Sequence, residues 1–568
     1  MQYYIAFSTL LTYNFYIRQK GAITMKRFKI NVEYMVDKVV YQTNLFETEH
    51  FVIDYLATQD HIKLTVKPCA ELENVKFKMT IPYEFQKDSR IFLNGYQSWT
   101  ECKEYFINDE PLKLNLKQEA IRRIVPTSAY GDYDFVKYDQ RKGYFHGFSY
   151  GYVRNGENFD LFGSLSERWG YTIIRALTPE NEITFERELE GVVISDEYVL
   201  IDVVHFNGNE NEVYDKYFSA MNIPAPRVGR TNGYTTWYNY YQNITEDIVT
   251  TDLEALSKVP AKIDIFQIDD GYQTAVGDWL SIDAKKFPNG MKFVANKIHE
   301  KGMKAGLWLA PLSCQYKSKV AKEHPEWIIR DKNGKKVSCG LNWGGFYGLD
   351  IENEEVRAYI KNFFNVVLND WGYDMVKLDF LYSACVVPRN NKSRGQLMCE
   401  AMDFIRECVG DKLILGCGVP LHPAFGKVDY CRIGADIGLE WTKIKVHLED
   451  VCTRTTLWNT IFRRGLDGRA FANDPDVFLL RDNNMRSTFD QRKISAIVNH
   501  IFGSLLFTSD NVGDYNDEKM DVLLHIFQNG RPKLISAEFI TKNLIEIKYI
   551  ENGEEKRLCF DSNNGELY

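Results

Sequence analysis

The first part of the chain, from about residue 25 to 225, alternates apolar and polar positions over short runs. The segments "FVIDYLATQDHIKLTVKP" (51–68) and "EITFERELEGVVISDEYVLIDVV" (182–204) are rich in β-branched residues and are broken by polar turns. A period of two is typical of strands that bury one face. Because no long helical period competes with it, the sequence predicts an N-terminal β-sandwich over 25–225.

The pattern changes near residue 226. Short apolar segments that end in polar residues now alternate with helical patterns; they are "GYTTWYNYY", "KIDIFQIDDG", "KAGLWLAPL", "DMVKLDF", "KLILGCGVP", "DYCRIGAD", "GRAFANDPD" and "GSLLFTSD". Eight strands joined by crossovers over 226–512 predict a (β/α)8 barrel. Two connections are irregular: the third is long, with an excursion expected around 311–352, and the fifth is too short for a full helix.

The clearest helical pattern is "NEEVRAYIKNFFNVVLNDWG" (353–372). Its apolar residues share one helical face, and Gly372 is a natural stop signal. These apolar residues are Val356, Ile360, Phe363, Val367 and Trp371. After about residue 513 a helical segment precedes "KLISAEFITKNLIEIKYIENGEEKRLCF" (533–560), which alternates again. It predicts a small antiparallel β domain over 513–568.

The chain opens with "MQYYIAFSTLLTYNFYIRQKGAITM", which is apolar at first but lacks a basic start and a small-residue cleavage site. The apolar run is too short and too rich in tyrosine to span a membrane. We expect residues 1–24 to be an extension that is untranslated or without order, with Met25 as the working start. A weak membrane or signal segment is the alternative.

Charge and cysteine content exclude several classes of protein. Lys and Arg total 69 against 78 Asp and Glu, and no basic run appears, so neither nucleic acid nor a membrane is an expected partner. The 11 cysteines form no CxxC pair, which favours free thiols and the cytoplasm. HExxH is absent and the 10 histidines do not cluster at strand ends, so we expect no metal and no cofactor. Oxygen-only metal binding by aspartates is a minor alternative.

The fourth barrel segment, "GYDMVKLDFLY" (372–382), carries two charges inside an apolar strand. Alternate side chains of a barrel strand face the interior or the surrounding helices. Val376, Leu378 and Phe380 share one parity and should face the helices, so the other set should face the barrel interior near its mouth. That set is Met375, Lys377 and Asp379. A structural Lys–Asp pair that closes the barrel is the alternative.

Other strand ends carry polar residues as well. They are Asp269 and Asp270 after the second strand, Trp308 on the third, Cys417 and Gly418 after the fifth, Arg432 and Asp436 around the sixth, Asp474 and Asp476 around the seventh, and Ser509 and Asp510 after the eighth. Arg432 and Asp436 share a parity if the strand continues that far. Since barrel enzymes keep their active sites at this mouth, packing alone is a poor explanation for so many carboxylates.

Two carboxyl groups across a pocket are what cleavage of a glycosidic bond requires. Asp379, next to Lys377, should stay ionised because an ammonium group favours the charged form, and this suits a nucleophile. Asp436 would then be the acid/base, with a pKa that the charge of Asp379 raises and Arg432 lowers. Once Asp379 is glycosylated its charge disappears, so Asp436 can act as the base.

The chain resembles the α-galactosidases of glycoside hydrolase family 36, the melibiase group. The motifs "FQIDDGYQTAVGDW", "GLWLAP", "VKLDFLY", "GCGVPL", "RIGAD" and "NDPD" are similar to the family's successive strand motifs and follow the family's order. The β-rich region before them, including "NGYQSW" (94–99), resembles the family's N-terminal sandwich. Ala472 departs from the family, which commonly has a bulkier residue there, and residues 1–24 have no counterpart.

The resemblance implies a role for each residue of the mouth. Asp379 matches the nucleophile and Asp436 the acid/base, and the remaining matches are to substrate-binding residues. These are Asp269 and Asp270 on the axial 4-OH and the 6-OH, Trp308 in the pocket wall, Lys377 on ring hydroxyls, Cys417 and Gly418 near the 2-position, and Arg432, which orients the acid. The resemblance also implies retention of configuration, no cofactor, and a homo-oligomer.

We therefore expect a retaining exo-α-galactosidase that acts on α-galactoside oligosaccharides. An α-N-acetylgalactosaminidase or an α-galactosyl transglycosylase is the nearest alternative. An aldolase that forms a Schiff base through Lys377 is a different class of enzyme. A non-catalytic sugar-binding protein is a third class, and the presence of both Asp379 and Asp436 disfavours it.

Overall fold

The computed structural model describes residues 28–125 and 127–568. The expected extension over 1–24 and the expected start at Met25 lie outside the described residues. In the part of the chain that is described, no helix combines the length and apolar character needed to cross a membrane.

Two antiparallel sheets form the N-terminal region. Its strands are β1 (Lys29–Val36), β2 (Val39–Thr43), β3 (Phe51–Ala57), β4 (His61–Pro68), β5 (Glu73–Pro82), β6 (Arg90–Leu93), β7 (Glu104–Phe106), β8 (Tyr144–Phe148), β9 (Tyr150–Asn155), β10 (Asn158–Ser164), β11 (Thr172–Leu177), β12 (Glu182–Arg187) and β13 (Tyr198–Gly208). Its helices are α1 (Leu116–Ile124) and α2 (Glu210–Met221). The sheet orders are β2-β1-β5-β12-β11-β8 and β3-β4-β13-β10-β9-β6-β7.

The alternation along these strands produces the sandwich. In β1 every second residue is buried, and its Ile30 and Val32 join one apolar core with Leu64 and Val203 of the other sheet. The opposite face of the second sheet, including Tyr152, belongs to the larger core that continues into the next region. The predicted β-sandwich is confirmed. The domain limits at 25, 225 and 513 stay predictions.

Eight parallel strands form the central barrel. They are β14 (Thr231–Thr235), β15 (Ile265–Ile268), β16 (Lys304–Leu309), β20 (Met375–Leu378), β21 (Leu413–Gly416), β22 (Tyr430–Arg432), β23 (Ala472–Asp474) and β24 (Leu505–Thr508). The helices of this region are α3 (Trp237–Tyr240), α4 (Glu246–Leu256), α5 (Gly290–Glu300), α6 (Lys319–Glu323), α7 (Glu354–Asn365), α8 (Arg394–Val409), α9 (Leu421–Ala424), α10 (Thr453–Phe462) and α11 (Phe489–Phe502).

The barrel strands pair in the order β23-β22-β21-β20-β16-β15-β14-β24. The last gap is bridged by backbone hydrogen bonds from Phe478 to Phe507 (3.0 Å) and from Ser504 to Asn473 (2.9 Å). All eight segments read from the sequence are strands, so the predicted (β/α)8 barrel is confirmed. Gly372 adopts φ +84° after the helical segment that begins with α7, as expected for a stop signal.

Both irregular connections are present. The third contains a small sheet of β17 (Ser313–Gln315), β18 (Ser338–Gly340) and β19 (Phe346–Gly348), in the order β17-β19-β18, which we call the excursion sheet. In the fifth, only the four residues of α9 are helical between β21 and β22. The chain ends with α12 (Asp517–Gln528) and the antiparallel sheet β25 (Lys533–Phe539), β26 (Leu544–Glu551) and β27 (Glu554–Asp561).

The parity predicted for β20 holds within the strand. Met375 lies in the cluster that fills the barrel with Ile265 and Leu415, whereas Val376 and Leu378 join the larger core that includes the surrounding helices. The expectation for Phe380 was wrong. Its backbone is left-handed (φ +53°), which ends the strand, and its ring packs at the mouth against Trp99 and Trp343, with centroids 5.1 and 4.8 Å away.

A buried arginine joins the sandwich to the barrel. The side chain of Arg463, just after α10, is fully buried and donates hydrogen bonds of 2.5–3.3 Å to the loop that follows β6 and to the barrel. Its acceptors are the carbonyl oxygens of Gln97, Ser98, Thr100 and Ile433 and the side-chain oxygen of Asn94. A buried guanidinium is tolerated only when such acceptors replace water. Arg463 therefore fixes what we call the 94–100 loop against the barrel.

Replacing this arginine tests how far the domains depend on the contact. We expect Arg463→Lys to lower the Tm by about 5 °C or more, because an ammonium offers three donors in place of the planar fork. Arg486→Lys is the control: its side chain is 78% exposed and pairs with Glu440 at 3.2 Å, so its loss should have little effect. Differential scanning calorimetry of the two variants gives the comparison, and equal Tm values would contradict the role of Arg463.

Candidate active site

The polar ends of the barrel strands converge at one mouth, and Asp379 lies at its centre. It follows the last residue of β20, and its backbone N–H donates to Leu309 (2.8 Å). Its two carboxylate oxygens accept from the backbone of Phe380 (2.8 Å) and from the indole N–H of Trp308 (3.1 Å). Strand pairing and these donors fix the carboxylate of Asp379.

The sequence predicted that the ammonium of Lys377 keeps Asp379 ionised, but Lys377 is not the largest influence on the pKa of Asp379. Burial raises the pKa of Asp379, and this effect outweighs the opposing charge of Lys377. The charge of Asp436, at the same mouth, raises the pKa of Asp379 further. The arrangement brings together the two residues for which sequence reasoning predicted catalytic roles.

Lys377 forms its ion pair with Asp269 rather than with Asp379. Its ammonium donates to Asp269 Oδ2 at 2.7 Å, and the pair is buried. Gln267 also donates to this oxygen (2.8 Å), and Thr236 receives the backbone N–H of Asp269 (3.0 Å). Lys377 and Asp379 are two residues apart on one strand, whereas Asp269 faces the lysine from the end of β15. The sequence could not reveal that pairing.

Asp270 lies beside this pair and is surrounded by neutral donors. The amide nitrogens of Gln242 and Gln273 donate to it at 2.7 and 2.5 Å, and the indole N–H of Trp343 donates at 2.8 Å. Burial raises the pKa of Asp270, while these donors favour its ionised form. Sequence reasoning missed Trp343, which comes from the excursion. No local signal marked it.

Arg432 lies between two carboxylates. It donates to Asp436 Oδ1 at 3.1 Å, and its other terminal nitrogen is 3.1 Å from Asp476 Oδ2. Asp476 also accepts from the hydroxyl of Tyr238, and burial raises the pKa of Asp476 to about 6. The sixth strand ends at Arg432, so Asp436 lies on the following loop and the assumed strand parity does not apply. The side chain of Asp436 is 32% exposed, so it is not sealed in the protein.

Cys417 and Gly418 form the wall after β21, and the 94–100 loop covers them. The indole N–H of Trp99 donates to Cys417 Sγ at 3.4 Å. Gly418 has φ +54°, and a Cβ there would lie 2.7 Å from the ring of Trp99 and 3.0 Å from Phe380 N. Only glycine fits this position without strain. Sequence reasoning quoted the "NGYQSW" segment but gave Trp99 no role.

Asp510 is not part of the mouth chemistry, although it ends a strand. It is fully buried, and its oxygens accept from the backbone of Leu480 and Arg481 (2.6 and 3.0 Å). The guanidinium of Arg481 and the hydroxyl of Tyr515 complete its shell at 2.8 and 2.6 Å. This carboxylate is therefore a structural anchor for neighbouring loops. Being at a strand end is not sufficient evidence of function.

One side-chain group in the described part of the chain, His500, His525 and Glu551, has the spacing of metal ligands. Arg230, which precedes β14, donates to His500 Nδ1 (2.6 Å), so the group lies at the end of the barrel opposite the mouth. Because the arginine needs the Nδ1 lone pair, His500 Nε2 carries the proton that bonds Glu551 (2.8 Å) and cannot ligate a metal.

The barrel segment is similar to a known family. Residues 233–400 match the melibiase family model. The galactosaminidase that acts on A type blood α-D-galactosamine, from Flavonifractor plautii, is 32% identical over 173 residues, which cover 29% of this chain and 16% of that protein. The α-galactosidase Mel36A of Lactobacillus acidophilus is 31% identical over 150 residues, which cover 25% of this chain and 20% of that protein.

A solved enzyme matches nearly the whole chain. The α-galactosidase TtGalA of Thermus thermophilus in complex with p-nitrophenyl α-D-galactopyranoside has a TM-score of 0.69 at 23% identity, covering 92% of this chain and 98% of that one. Its complex with stachyose has a TM-score of 0.67 at 25% identity, covering 84% and 100%. The matched segments span a fifth or less of the length of these two curated relatives. The predicted fold and the predicted resemblance to family 36 are confirmed.

Two variants separate the effect of side-chain crowding at Gly418 from the effect of its left-handed backbone. We expect Gly418→Ala to lower kcat/KM for p-nitrophenyl α-D-galactopyranoside by about tenfold or more, because the new methyl group displaces Trp99 from the wall. Gly410→Ala is the matched control: Gly410 has φ +59° but nothing within 4 Å of a Cβ. Both variants carry a left-handed alanine. If the two variants lose equal activity, contact with Trp99 is not important.

The hydrogen bond from the indole N–H of Trp308 to Asp379 leads to a prediction about the pH dependence of activity. The sequence predicts Asp379 as the nucleophile. A carboxylate in that role acts when ionised, so activity should be lost as the pH falls through its pKa, which burial has raised. The N–H of Trp308 favours the ionised form, and removing it should raise the pKa further. Trp308→Phe should therefore move the low-pH limb of kcat/KM upward by roughly half a unit or more.

Trp279→Phe is the control for this pH profile. Trp279 packs against Trp308 with ring centroids 5.8 Å apart, and within the described chain its buried N–H has no hydrogen-bond partner. The phenylalanine keeps an aromatic ring and removes an N–H that bonds nothing. We expect its pH profile to match that of the wild type. A shift of equal size in both variants would show that packing, rather than the N–H, controls Asp379.

Proposed function

We propose that this chain is a retaining, exo-acting α-galactosidase that works by double displacement through a galactosyl-enzyme intermediate. The observation that carries the proposal is the pair Asp379 and Asp436 at one mouth in unlike surroundings. Asp379 is buried and fixed by an indole and a backbone N–H, as a nucleophile must be. Asp436 is partly exposed on a loop beside Arg432, where it can reach a leaving oxygen and water.

In the first step, an oxygen of Asp379 forms a bond to the anomeric carbon as the bond to the leaving oxygen breaks. Asp436 gives its proton to that oxygen. Having given up its proton, Asp436 is a carboxylate and can now accept a proton from water. The hydroxide formed in this way attacks the anomeric carbon from the other face, which releases galactose with its configuration retained and restores Asp379.

The carboxylates around the pair fit a sugar with several free hydroxyl groups. Asp269 and Asp270 supply ionic acceptors, and we propose that they bind the axial 4-OH and the 6-OH of terminal galactose. Lys377 already donates to Asp269, and its remaining N–H groups can bind ring hydroxyls. Trp308 completes the wall beside Asp379, and Arg432 orients Asp436. An exo-acting enzyme needs such a closed end, because its substrate enters only one sugar deep.

The substituent at the 2-position of the sugar distinguishes an α-galactosidase from an α-N-acetylgalactosaminidase. An N-acetyl group at that position needs room beside Cys417 and Gly418, and the ring of Trp99 occupies that space, 2.7 Å from where a Cβ of residue 418 would lie. This packing favours a hydroxyl group and therefore galactose. The 32% identity to the galactosaminidase makes α-N-acetylgalactosaminidase the second candidate. An α-galactosyl transglycosylase would use the same pair with a sugar acceptor in place of water.

Two other proposals concern the cellular compartment and the oligomeric state. The described chain holds its 11 cysteines as free thiols, and all but Cys69 and Cys408 are buried, which supports a reducing, cytoplasmic compartment. We keep a homo-oligomer as a proposal from the family resemblance. A Schiff-base role for Lys377 is disfavoured: burial opposes the charge of the ammonium, but the negative charges around it, of which Asp269 is the largest, together outweigh burial and raise the pKa of Lys377.

Product analysis tests the substrate and the mechanism together. During hydrolysis of p-nitrophenyl α-D-galactopyranoside, ¹H NMR should show α-galactose as the first product, followed by mutarotation. First appearance of β-galactose would contradict the double displacement. The corresponding α-N-acetylgalactosaminide, assayed beside it, should be the poorer substrate. The opposite preference would favour the second candidate.

The assignment of the nucleophile has its own test. Asp379→Ala should lower kcat by about a thousandfold or more, because no other group can form the ester. Azide added to this variant should restore part of the rate and yield β-galactosyl azide, since the small anion fits the space left by the carboxyl group. Activity close to that of the wild type would remove Asp379 from the mechanism.

A further inference from the structure

A tight turn at the mouth, residues 340–345, joins β18 to β19 of the excursion sheet, and we call it the 340–345 turn. Trp343 adopts φ +58° and ψ +21° there, a left-handed conformation that is costly for a bulky side chain. Gly344 and Gly345 follow with φ +81° and +107°. Such strain persists only where surrounding contacts over-determine the backbone. The contacts of the turn should therefore show which interaction the strained conformation of Trp343 maintains.

The N-terminal sandwich holds this turn through Tyr130. The backbone N–H of Leu341 donates to the Tyr130 hydroxyl (2.9 Å), which itself donates to Asn342 Oδ1 (2.5 Å). Gly340 packs so closely that a Cβ would lie 2.4 Å from the Tyr130 hydroxyl oxygen. One phenol group thus fixes the residues immediately before Trp343.

The turn presents the indole of Trp343 to Asp270. The N–H donates to Asp270 Oδ2 at 2.8 Å, and the ring packs edge to face on Trp308 and Phe380, with centroids 5.9 and 4.8 Å away. Phe380 directly follows Asp379. The strained residue thus contacts a carboxylate of the proposed sugar site on one side and the neighbour of the proposed nucleophile on the other.

We propose that Trp343 is a positioning residue that acts through Asp270, and that Tyr130 of the N-terminal sandwich anchors it. The inference rests on the proposed function, because it assigns Asp270 to a substrate hydroxyl group. Three neutral N–H donors occupy three of the roughly four lone-pair sites of the carboxylate. The site that remains has a direction set by those donors. Without the indole N–H the carboxylate can rotate, and the substrate hydroxyl loses its acceptor.

Two simpler roles for Trp343 make different predictions. If the ring only fills the core, any aromatic ring of similar shape suffices. If the ring is a surface on which the substrate stacks, a phenylalanine keeps most of that contact. Both roles depend on the ring, whereas the proposed role depends on the N–H. Removing the N–H while keeping an aromatic ring therefore separates them.

The first experiment compares Trp343→Phe with Trp327→Phe. Trp327 belongs to the same excursion and also donates its indole N–H to a carboxylate, Glu355 (2.9 Å), but that carboxylate is not in the mouth. We expect Trp343→Phe to lower kcat/KM for p-nitrophenyl α-D-galactopyranoside by about tenfold, and Trp327→Phe to leave it within twofold. Equal activity of Trp343→Phe and the wild type would overturn the proposal.

The second experiment tests whether the effect passes through Asp270. In an Asp270→Asn background the carboxylate is absent, so adding Trp343→Phe should reduce kcat/KM by less than twofold. A full tenfold loss in that background would show that Trp343 acts by another route. The low-pH limb should report the ionisation of both Asp379 and Asp270; loss of the Trp343 N–H should raise the pKa of Asp270, so the limb of the single variant should move upward. An unshifted limb would likewise contradict the proposal.

The third experiment tests the anchor. Tyr130→Phe removes both hydrogen bonds to the turn and leaves the ring, and we expect a loss of roughly threefold that disappears in the Trp343→Phe background. Additive losses would show that Tyr130 does not act through Trp343. Failure of the proposed function looks different: the wild-type protein itself would then not hydrolyse the aryl α-galactoside. An active wild type with an unaffected Trp343→Phe variant would reject this inference alone.

Discussion

Compensation of buried charge is the constraint on which the mouth of this barrel depends. An unpaired ion in such a site would cost several kcal/mol, so each charge is matched by a partner from another strand or loop. Lys377 is matched by Asp269, and Arg432 by Asp436 and Asp476. Asp270 and Asp379, by contrast, are held mainly by N–H groups, and Asp379 is the one that we propose as the nucleophile.

The regular parts of this molecule could be read from its sequence. All eight barrel strands, the long third connection and the short fifth one follow from hydrophobic periods and polar strand ends. The inward parity of Lys377 followed from the same local rules, whereas the strand parity assumed for Asp436 did not hold, because the sixth strand ends at Arg432. Asp510 marks the limit of those rules, because a structural carboxylate and a reactive one look alike at a strand end.

The contacts that sequence reasoning missed join segments far apart in the chain. The pairing of Lys377 with Asp269 depends on how the barrel closes, and no local pattern encodes that geometry. Trp99 and Trp343 reach the mouth from the sandwich and from the excursion, where an indole looks like any core residue in sequence. The prediction that Phe380 faces the helices was wrong for a related reason: its left-handed backbone ends the strand alternation on which that prediction rested.

The buried Arg463 has a consequence for how the protein is made. The 94–100 loop leaves the ribosome long before residue 463 is synthesised, so its carbonyl oxygens must stay hydrated, and Trp99 unplaced, while most of the barrel is still missing. Domains commonly fold in the order of synthesis, yet this wall of the mouth cannot form until the chain after α10 arrives. A nascent chain that stops earlier can fold its sandwich and still lack a finished mouth.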